Sequence, residues 1–165
     1  MYRKSYIYLI LAAISALLVG LSVYLFDRQP ETVYLISNWF VFKVESGPIF
    51  GAMGQYLPTF LHVYAFTLLT VVVFSQSRQQ IQIICIGWLT IDSLFEIAQI
   101  DFIAHSISNH LPGWFVGVPF LENTADYFLL GTFDVFDLLS IAAGSLAAYL
   151  TIILSKGAPE NVAHT

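Results

Sequence analysis

The sequence predicts an all-α integral membrane protein in which four transmembrane helices form one small bundle, a single domain of residues 1–165. Two observations lead to this prediction. First, 58% of the 165 residues are apolar and only 10% are charged, whereas soluble domains carry about 25% charged residues. Second, the apolar residues form continuous runs, which favours helices over a membrane barrel because each helix pairs its own backbone groups inside lipid.

Each of the four apolar runs approaches the roughly 20 residues that a helix needs to cross the hydrocarbon core. They are Tyr6–Phe26, Phe60–Gln76, Ile81–Phe102 and Val135–Leu154. The first run follows two basic residues, as in a signal peptide, but it is long and lacks a convincing small-residue cleavage site. We therefore expect an uncleaved span, with a cleaved signal as the alternative.

The long first loop, Asp27–Thr59, is rich in aromatic residues and is punctuated by glycine and proline. Aromatic rings favour the headgroup zone, so we expect this loop to lie along the membrane interface, with a short interfacial or re-entrant helix at Val33–Val44. The next connection, Ser77–Gln80, is so short that the second and third spans should pack as antiparallel neighbours.

The second long loop contains three apolar residues that share one helical face before a break at Pro112. They are Ile103, Ile107 and Leu111. This pattern predicts a short amphipathic helix that lies flat on the membrane. Further along, Asn123 is expected to cap a helical turn that runs through Leu130, with Gly131 in the left-handed closing position.

The distribution of Lys and Arg predicts that both termini are cytoplasmic. Four spans put both ends on one side, and the side with more basic residues in its short flanks faces the cytoplasm. The first loop holds Arg28 and Lys43, and the second long loop holds no basic residue. The side of the termini holds Arg3, Lys4, Arg78 and Lys156.

The charge and the cysteine content exclude several classes of protein. A formal net charge of -5 without a basic patch argues against nucleic acid as a partner. Cys85 is the only cysteine, which excludes an internal disulfide and a cysteine-clustered metal site. We expect Cys85 to behave as a small buried hydrophobe.

Polar side chains concentrate in the outer halves of three predicted spans, and this is the main clue to function. Each charged group near the middle of a bilayer costs roughly 2.5–3.5 kcal/mol on insertion scales. The third span places three polar residues on one helical face, the second adds a histidine, and the fourth begins with two aspartates. The six residues are Asp92, Glu96, Gln99, His62, Asp134 and Asp137. Their convergence predicts a polar site.

Structural interpretations of these residues remain open. Glu96 suits a protonated or hydrogen-bonded tie between helices. Asp92 can bond a hydroxyl of its own helix, and His62 can be satisfied by interfacial water. Asp134 has the weakest functional claim, since an acid at a helix N-terminus is stabilised by the helix dipole alone.

Two kinds of chemistry are less favoured. His62, Glu96 and Asp137 are suitable ligand types for a divalent cation, but they come from three helices and show no ligand-spacing signature. We expect no metal and no cofactor. A Ser-His-Asp hydrolase is weaker still, because Ser106 and Ser108 lie in a loop without a nucleophile-elbow pattern. The histidines of that loop are expected to be solvated surface residues.

Three stretches of the chain follow a family pattern. Leu57–Phe66 (LPTFLHVYAF) carries the histidine, Phe95–Gln99 (FEIAQ) forms a Glu-x-x-Gln element, and Gly131–Asp137 (GTFDVFD), continuing to Gly144, forms an Asp-x-x-Asp and glycine segment. In their order and spacing these stretches resemble the VanZ-like family of small bacterial membrane proteins, named for a component linked to teicoplanin resistance. The resemblance implies a multi-pass protein of the bacterial cytoplasmic (inner) membrane.

The chain departs from that family at two positions. Members usually carry an arginine just before the aspartate pair and an asparagine four residues after its second aspartate, where this chain has Gly131 and Ile141. Loss of a fixed cation removes a carboxylate partner and a phosphate clamp. The resemblance therefore implies a divergent member.

The resemblance and the polar residues together imply an outward-facing site that binds or processes an envelope lipid or a lipid-linked cell-wall precursor. The expected catalytic residues are Glu96 as general acid or base, Asp137 as its charge partner and His62 as proton shuttle. The expected ligand-binding residues are Gln99 as an orienting donor, Asp92 and Asp134.

Two other classes of function are alternatives. The chain could be a non-catalytic accessory subunit of a larger membrane complex, docking through aromatic loop residues such as Trp39 and Trp114. Proton-coupled transport is less favoured because four helices leave little room for alternating access in a monomer, an objection that an oligomer would weaken.

Overall fold

The computed structural model describes residues 2–27, 48–74, 77–119 and 121–157, and all regular elements in these ranges are helices. They are α1 (Tyr2–Phe26), α2 (Met53–Phe74), α3 (Arg78–Ile97), α4 (Asp101–Asn109), α5 (Thr124–Leu130) and α6 (Val135–Gly157), with a single 3-10 turn at Gly113–Phe115. α1, α2, α3 and α6 are long and apolar enough to cross a membrane. For the residues described, the predictions of an all-α fold and of four helices able to cross a membrane are thereby confirmed.

The bundle is built around the contact between α2 and α6, which α1 and α3 flank. Gly144 of α6 lies against the backbone of Phe60 in α2, so close that an added Cβ would be 2.5 Å from the Phe60 carbonyl oxygen. Membrane helices use small residues in this way to bring their backbones together. Gly144 therefore belongs to the packing surface between α6 and α2.

The apolar core is small and the apolar outer surface is large. Leu9, Leu68 and Ile152 are fully buried in one cluster, and Cys85 joins them as the expected buried hydrophobe. However, only 17–33% of the residues in the four candidate spans are buried inside the bundle. A surface this apolar needs lipid or another protein to cover it.

The four long helices alternate in direction, so the bundle has two different ends. At the end that we call the carboxylate end, the termini at Phe26, Met53, Ile97 and Val135 meet. There the Asp27 carboxylate accepts the backbone N–H groups of Ile49 and Phe50 at 2.7 and 2.8 Å. At the other end, the terminal end, the Ser5 hydroxyl donates to the Ser155 carbonyl at 2.9 Å.

The second span begins earlier than predicted, at Met53 rather than Phe60, and ends at Phe74. Gly54 and Pro58 had indicated a loop, but both are buried within the first turns of α2. Proline removes one backbone hydrogen bond there, and the helix continues through it. Gly54 is needed for space, since an added Cβ would lie 2.8 Å from an Asp27 carboxylate oxygen.

The third span starts earlier and ends earlier than predicted. Ser77 and Gln80, expected in a hairpin, form a capping box: the Ser77 hydroxyl accepts the Gln80 N–H at 3.2 Å and the Gln80 side chain accepts the Ser77 N–H at 3.0 Å. Such a box starts a helix. The helix ends at Ile97 rather than Phe102, and extended backbone at Ile100 separates α3 from α4. As predicted, α2 and α3 are packed neighbours.

The loop after α3 agrees with the sequence in its helices and differs in how they end. α4 is the predicted helix before Pro112, and α5 is the predicted turn up to Leu130. Asn123 stands at the N-cap position of α5, but its side chain makes no capping hydrogen bond. Gly131 is extended, with φ -69° and ψ 155°, so the left-handed prediction was wrong. It is instead a glycine because the Gln99 side chain and the Tyr127 carbonyl occupy the space of a Cβ.

The fourth span begins at Val135, as predicted, and runs on to Gly157. The interfacial helix predicted at Val33–Val44 lies outside the described residues.

Candidate functional site

Glu96 is the buried carboxylate at the carboxylate end. Its side chain lies in the last turn of α3, the residue is only 7% exposed, and Oε1 accepts the backbone N–H of Asp134 at 2.7 Å. That N–H belongs to the residue just before α6, where the free N–H groups of a helix start carry partial positive charge. A backbone dipole therefore stabilises Glu96 in its buried position.

Asp134 connects Glu96 to the start of α6. Its Oδ1 accepts the Phe136 N–H at 2.8 Å, and its carbonyl accepts the Asp137 N–H at 3.0 Å. This is the geometry of an N-cap. The expectation that Asp134 is stabilised at a helix N-terminus therefore agrees with the capping hydrogen bond that its side chain makes.

Asp137 connects α6 to α2. Its Oδ1 accepts the Thr59 hydroxyl at 2.8 Å. One helical turn before Thr59, the Tyr56 hydroxyl faces the Asp134 carboxylate, and the Tyr56 ring packs on Phe136 with ring centroids 5.6 Å apart. The sequence interpretation missed Thr59 and Tyr56 as site residues because that segment was assigned to a loop; their three-residue spacing on one helical face was the available signal.

Gln99 lies beside the same cluster and contacts α5. Its Nε2 donates to the Tyr127 hydroxyl at 3.4 Å. Burial raises the pKa of Tyr127, and the nearby Glu96 charge raises it further, so the Tyr127 hydroxyl remains neutral at physiological pH. Nothing in the sequence pointed to Tyr127, because its position depends on how α5 folds back over α3.

We call Glu96, Gln99, Asp134, Asp137, Tyr56, Thr59 and Tyr127 the Glu96 cluster. Among the side chains that the structure describes, the single Arg or Lys is Arg78, which lies at the terminal end next to Tyr149. The described part of the cluster is therefore acidic, and its carboxylates accept hydrogen bonds from backbone and hydroxyl groups. A group that brings hydrogen-bond donors or positive charge is better matched to it than a phosphate.

His62 and Asp92 form a neighbouring pair outside the Glu96 cluster. The His62 Nδ1 is 3.4 Å from the Asp92 Oδ2, and the two side chains are 49% and 11% exposed. His62 is nine residues after the start of α2, or about 14 Å along the helix, so it lies deeper than the predicted position just inside the span. The six predicted site residues thus lie in two adjacent groups. His62 and Asp92 form one pair, and the other four, Glu96, Gln99, Asp134 and Asp137, belong to the Glu96 cluster.

The positions of the ionisable side chains are also relevant to metal binding and to the role of the loop histidines. Within the described ranges, no three His, Cys, Asp or Glu side chains are placed to hold a metal ion together. The exposed His105 and His110 each direct Nδ1 at a carbonyl one turn earlier, at 2.8 and 2.7 Å. Both histidines are therefore exposed, as expected, and their hydrogen bonds lie within α4 and its C-terminal end.

The fold and the apolar surface together define a multi-pass membrane protein with a polar cluster at one end of a helical bundle. Comparison with family models, with curated proteins and with solved structures finds no match to this chain.

Proposed function

We propose that this chain is a divergent VanZ-like protein of a bacterial cytoplasmic membrane, with four spans and both termini in the cytoplasm. In this orientation the Glu96 cluster faces outward, where it binds or processes an envelope lipid or a lipid-linked cell-wall precursor. The observation that carries the proposal is the buried Glu96, around which α2, α3 and α6 each contribute polar side chains.

The surroundings of Glu96 favour a ligand-related role over a purely structural tie. A tie between α3 and α6 needs only the hydrogen bond from Glu96 to the Asp134 N–H. The cluster also has Asp137, Thr59 and Tyr127 close by, most of them partly exposed. Polar groups that remain reachable at the end of an apolar bundle suit the headgroup of a membrane molecule.

The residues at the two positions where this chain departs from the family pattern indicate which chemical groups to expect in the ligand. An arginine at Gly131 would collide with the Gln99 side chain and the Tyr127 carbonyl, and Ile141 is 1% exposed in the apolar interior. A fixed phosphate clamp at these positions is therefore not part of the proposal. We expect hydroxyl or amine groups of the headgroup to donate to the carboxylates instead.

If the ligand is processed, Glu96 is the general acid or base and Asp137 its charge partner. Gln99 orients the ligand through its amide, and Asp134 acts through the helix start that it caps. His62 can serve as proton shuttle only together with Asp92, its neighbour at 3.4 Å.

The test is native mass spectrometry of the full-length protein, gently extracted from its own membrane. We compare wild type, Glu96→Gln and the matched control Glu122→Gln, whose exposed carboxylate lies outside the cluster. We expect a lipid or lipid-carrier adduct on wild type and control that is weakened in Glu96→Gln. Equal adducts on all three proteins would contradict the proposal.

The alternative function is an accessory subunit of a larger membrane complex. It is favoured by exposed aromatic residues beyond α3, since Phe102 is 84% and Trp114 is 65% exposed, a composition typical of docking surfaces. Trp39 lies outside the described residues. In the same spectra, a stoichiometric protein partner that Glu96→Gln retains and Trp114→Ala loses would favour this function.

A further inference from the structure

A second group of side chains, separate from the Glu96 cluster, lies part-way along the contact between α2 and α3. His62 faces Asp92, the Phe66 ring meets the imidazole edge-on with ring centroids 4.5 Å apart, and the Trp88 ring lies 6.1 Å away in a similar orientation. We call these four residues the His62 group. It combines one hydrogen-bonding ring with two apolar rings.

The pair is oriented so that the imidazole, and not the carboxylate, is available to a ligand. Asp92 Oδ2 is buried and has no hydrogen bond with any group that the structure describes, whereas the His62 side chain is 49% exposed. A small turn of the imidazole brings Nδ1 from 3.4 Å to within the roughly 2.7–3.2 Å of a hydrogen bond. A carboxylate at Nδ1 fixes the ring and leaves Nε2 for a second partner.

The two apolar rings are held in place beside the His62 imidazole. The Trp88 Nε1 donates to the Thr70 hydroxyl at 2.9 Å, and the Phe66 and Trp88 rings pack with centroids 5.2 Å apart. Fixed aromatic rings favour a flat apolar partner, which they contact by offset stacking or edge-to-face.

The depth of the group selects the kind of ligand. His62 lies nine residues inside α2 and Asp92 five residues inside α3, both counted from the carboxylate end, so the pair is roughly 8–14 Å from that end of two helices that are long enough to cross hydrocarbon. The Asp92 carboxylate and the two apolar rings disfavour a phosphate as the ligand. The ligand must be lipid-soluble, must be flat, and must carry an oxygen that accepts or donates a hydrogen bond at an imidazole nitrogen.

We infer that the His62 group binds, from the side of the bilayer, a lipid-soluble quinone or a closely related ring that carries carbonyl or hydroxyl oxygens. His62 holds a ring oxygen, Asp92 positions His62, and Phe66 and Trp88 contact the faces or edges of the ring. This site is separate from the Glu96 cluster, and its binding of a ring does not require the proton-shuttle role proposed above for His62 and Asp92.

The experiment uses the full-length protein in lipid nanodiscs, titrated with decylubiquinone while tryptophan fluorescence is recorded. We expect saturable quenching that disappears in Trp88→Phe, on top of a linear part from quinone dissolved in the lipid. His62→Phe keeps a ring but removes the hydrogen bond, so its midpoint should rise about tenfold, and that of Asp92→Asn about threefold. His110→Phe, a histidine of α4 with a similar local bond, should leave the midpoint unchanged.

Quenching that is only linear, or a midpoint that is the same in wild type, His62→Phe and Asp92→Asn, would overturn the inference. Displacement of decylubiquinone by a polyprenyl phosphate, but not by a second quinone such as menadione, would also overturn it and assign the group to a phosphate lipid. Circular dichroism checks that each variant is folded. Asp92→Asn preserves the side-chain shape, so it decides the question if His62→Phe does not fold.

Discussion

At the carboxylate end of the bundle the helices are joined by hydrogen bonds to acids, whereas toward the terminal end they are joined by packed apolar side chains and by hydroxyl contacts such as that of Ser5 with Ser155. Glu96 and Asp137 connect α6 to α3 and α2, while Leu9, Leu68 and Ile152 fill the core with no exposed area. In lipid, close packing carries most of the association between helices, and single polar contacts add about 0.6 kcal/mol on average. We therefore expect the core to contribute more to the stability of the bundle than the acids do.

The largest effect is expected at Gly144, whose contact with the Phe60 backbone joins α6 to α2. Gly144→Leu forces α6 away from the Phe60 backbone, since even a Cβ meets its carbonyl oxygen. We expect a loss of about 3 kcal/mol or more, measured as a lower thermal unfolding midpoint in detergent, with much less protein in the membrane. Ala143→Leu, at an exposed neighbouring position, should fold normally. A wild-type midpoint for Gly144→Leu would show that the two backbones are not in contact.

The core is tested by Leu68→Ala. Leu68 is fully buried, so its truncation leaves a cavity and should cost about 2–5 kcal/mol. Binding of the native lipid adduct per folded molecule should be preserved. Val73→Ala, at a side chain that is 69% exposed, serves as control. If Leu68→Ala removes the adduct from folded protein, the separation between a stabilising core and a binding end is wrong.

Glu96 is tested by a pair of substitutions that separate its hydrogen bond from its charge. Glu96→Leu leaves the Asp134 N–H without its acceptor and should cost about 1–3 kcal/mol. Glu96→Gln keeps an accepting oxygen, so the unfolding midpoint should change little while the lipid adduct weakens. Equal stability losses in the two variants would mean that the charge, rather than the hydrogen bond, holds α6 in place.

The smallest effect is expected from Thr59→Val, which removes the hydroxyl that donates to Asp137 and preserves shape. We expect a loss of about 1 kcal/mol in chemical unfolding, together with weaker binding of the native lipid. Thr132→Val, at an exposed residue close to α6, controls for the substitution itself. A stability loss as large as that of Leu68→Ala would place Thr59 among the residues that hold the bundle together.

The sequence predicted the helical bundle and the end at which the acids meet, because apolar length and helical spacing are local properties. The start of α2 was missed since Gly54 and Pro58 are typical of loops, and their burial against Asp27 and neighbouring helices is a tertiary effect. The same error hid Thr59 and Tyr56. An earlier start also puts His62 deeper in its helix, where it meets Asp92.

The partner of Glu96 could not be predicted from residue types. Its acceptor oxygen meets a backbone N–H, which every residue except proline offers. The contact follows an extended linker residue, Gly131, where the Gln99 side chain and the Tyr127 carbonyl leave no space for a Cβ. Sequence patterns report which side chains are polar, and only the three-dimensional arrangement reports which backbone groups they reach.

The Asp27 carboxylate has a consequence for how the chain closes on itself. By accepting the N–H groups of Ile49 and Phe50, it holds the backbone just before α2 against the end of α1, although Asp27 and Phe50 are 23 residues apart in the chain. Closing a chain over that separation costs conformational entropy, which the two hydrogen bonds help to offset.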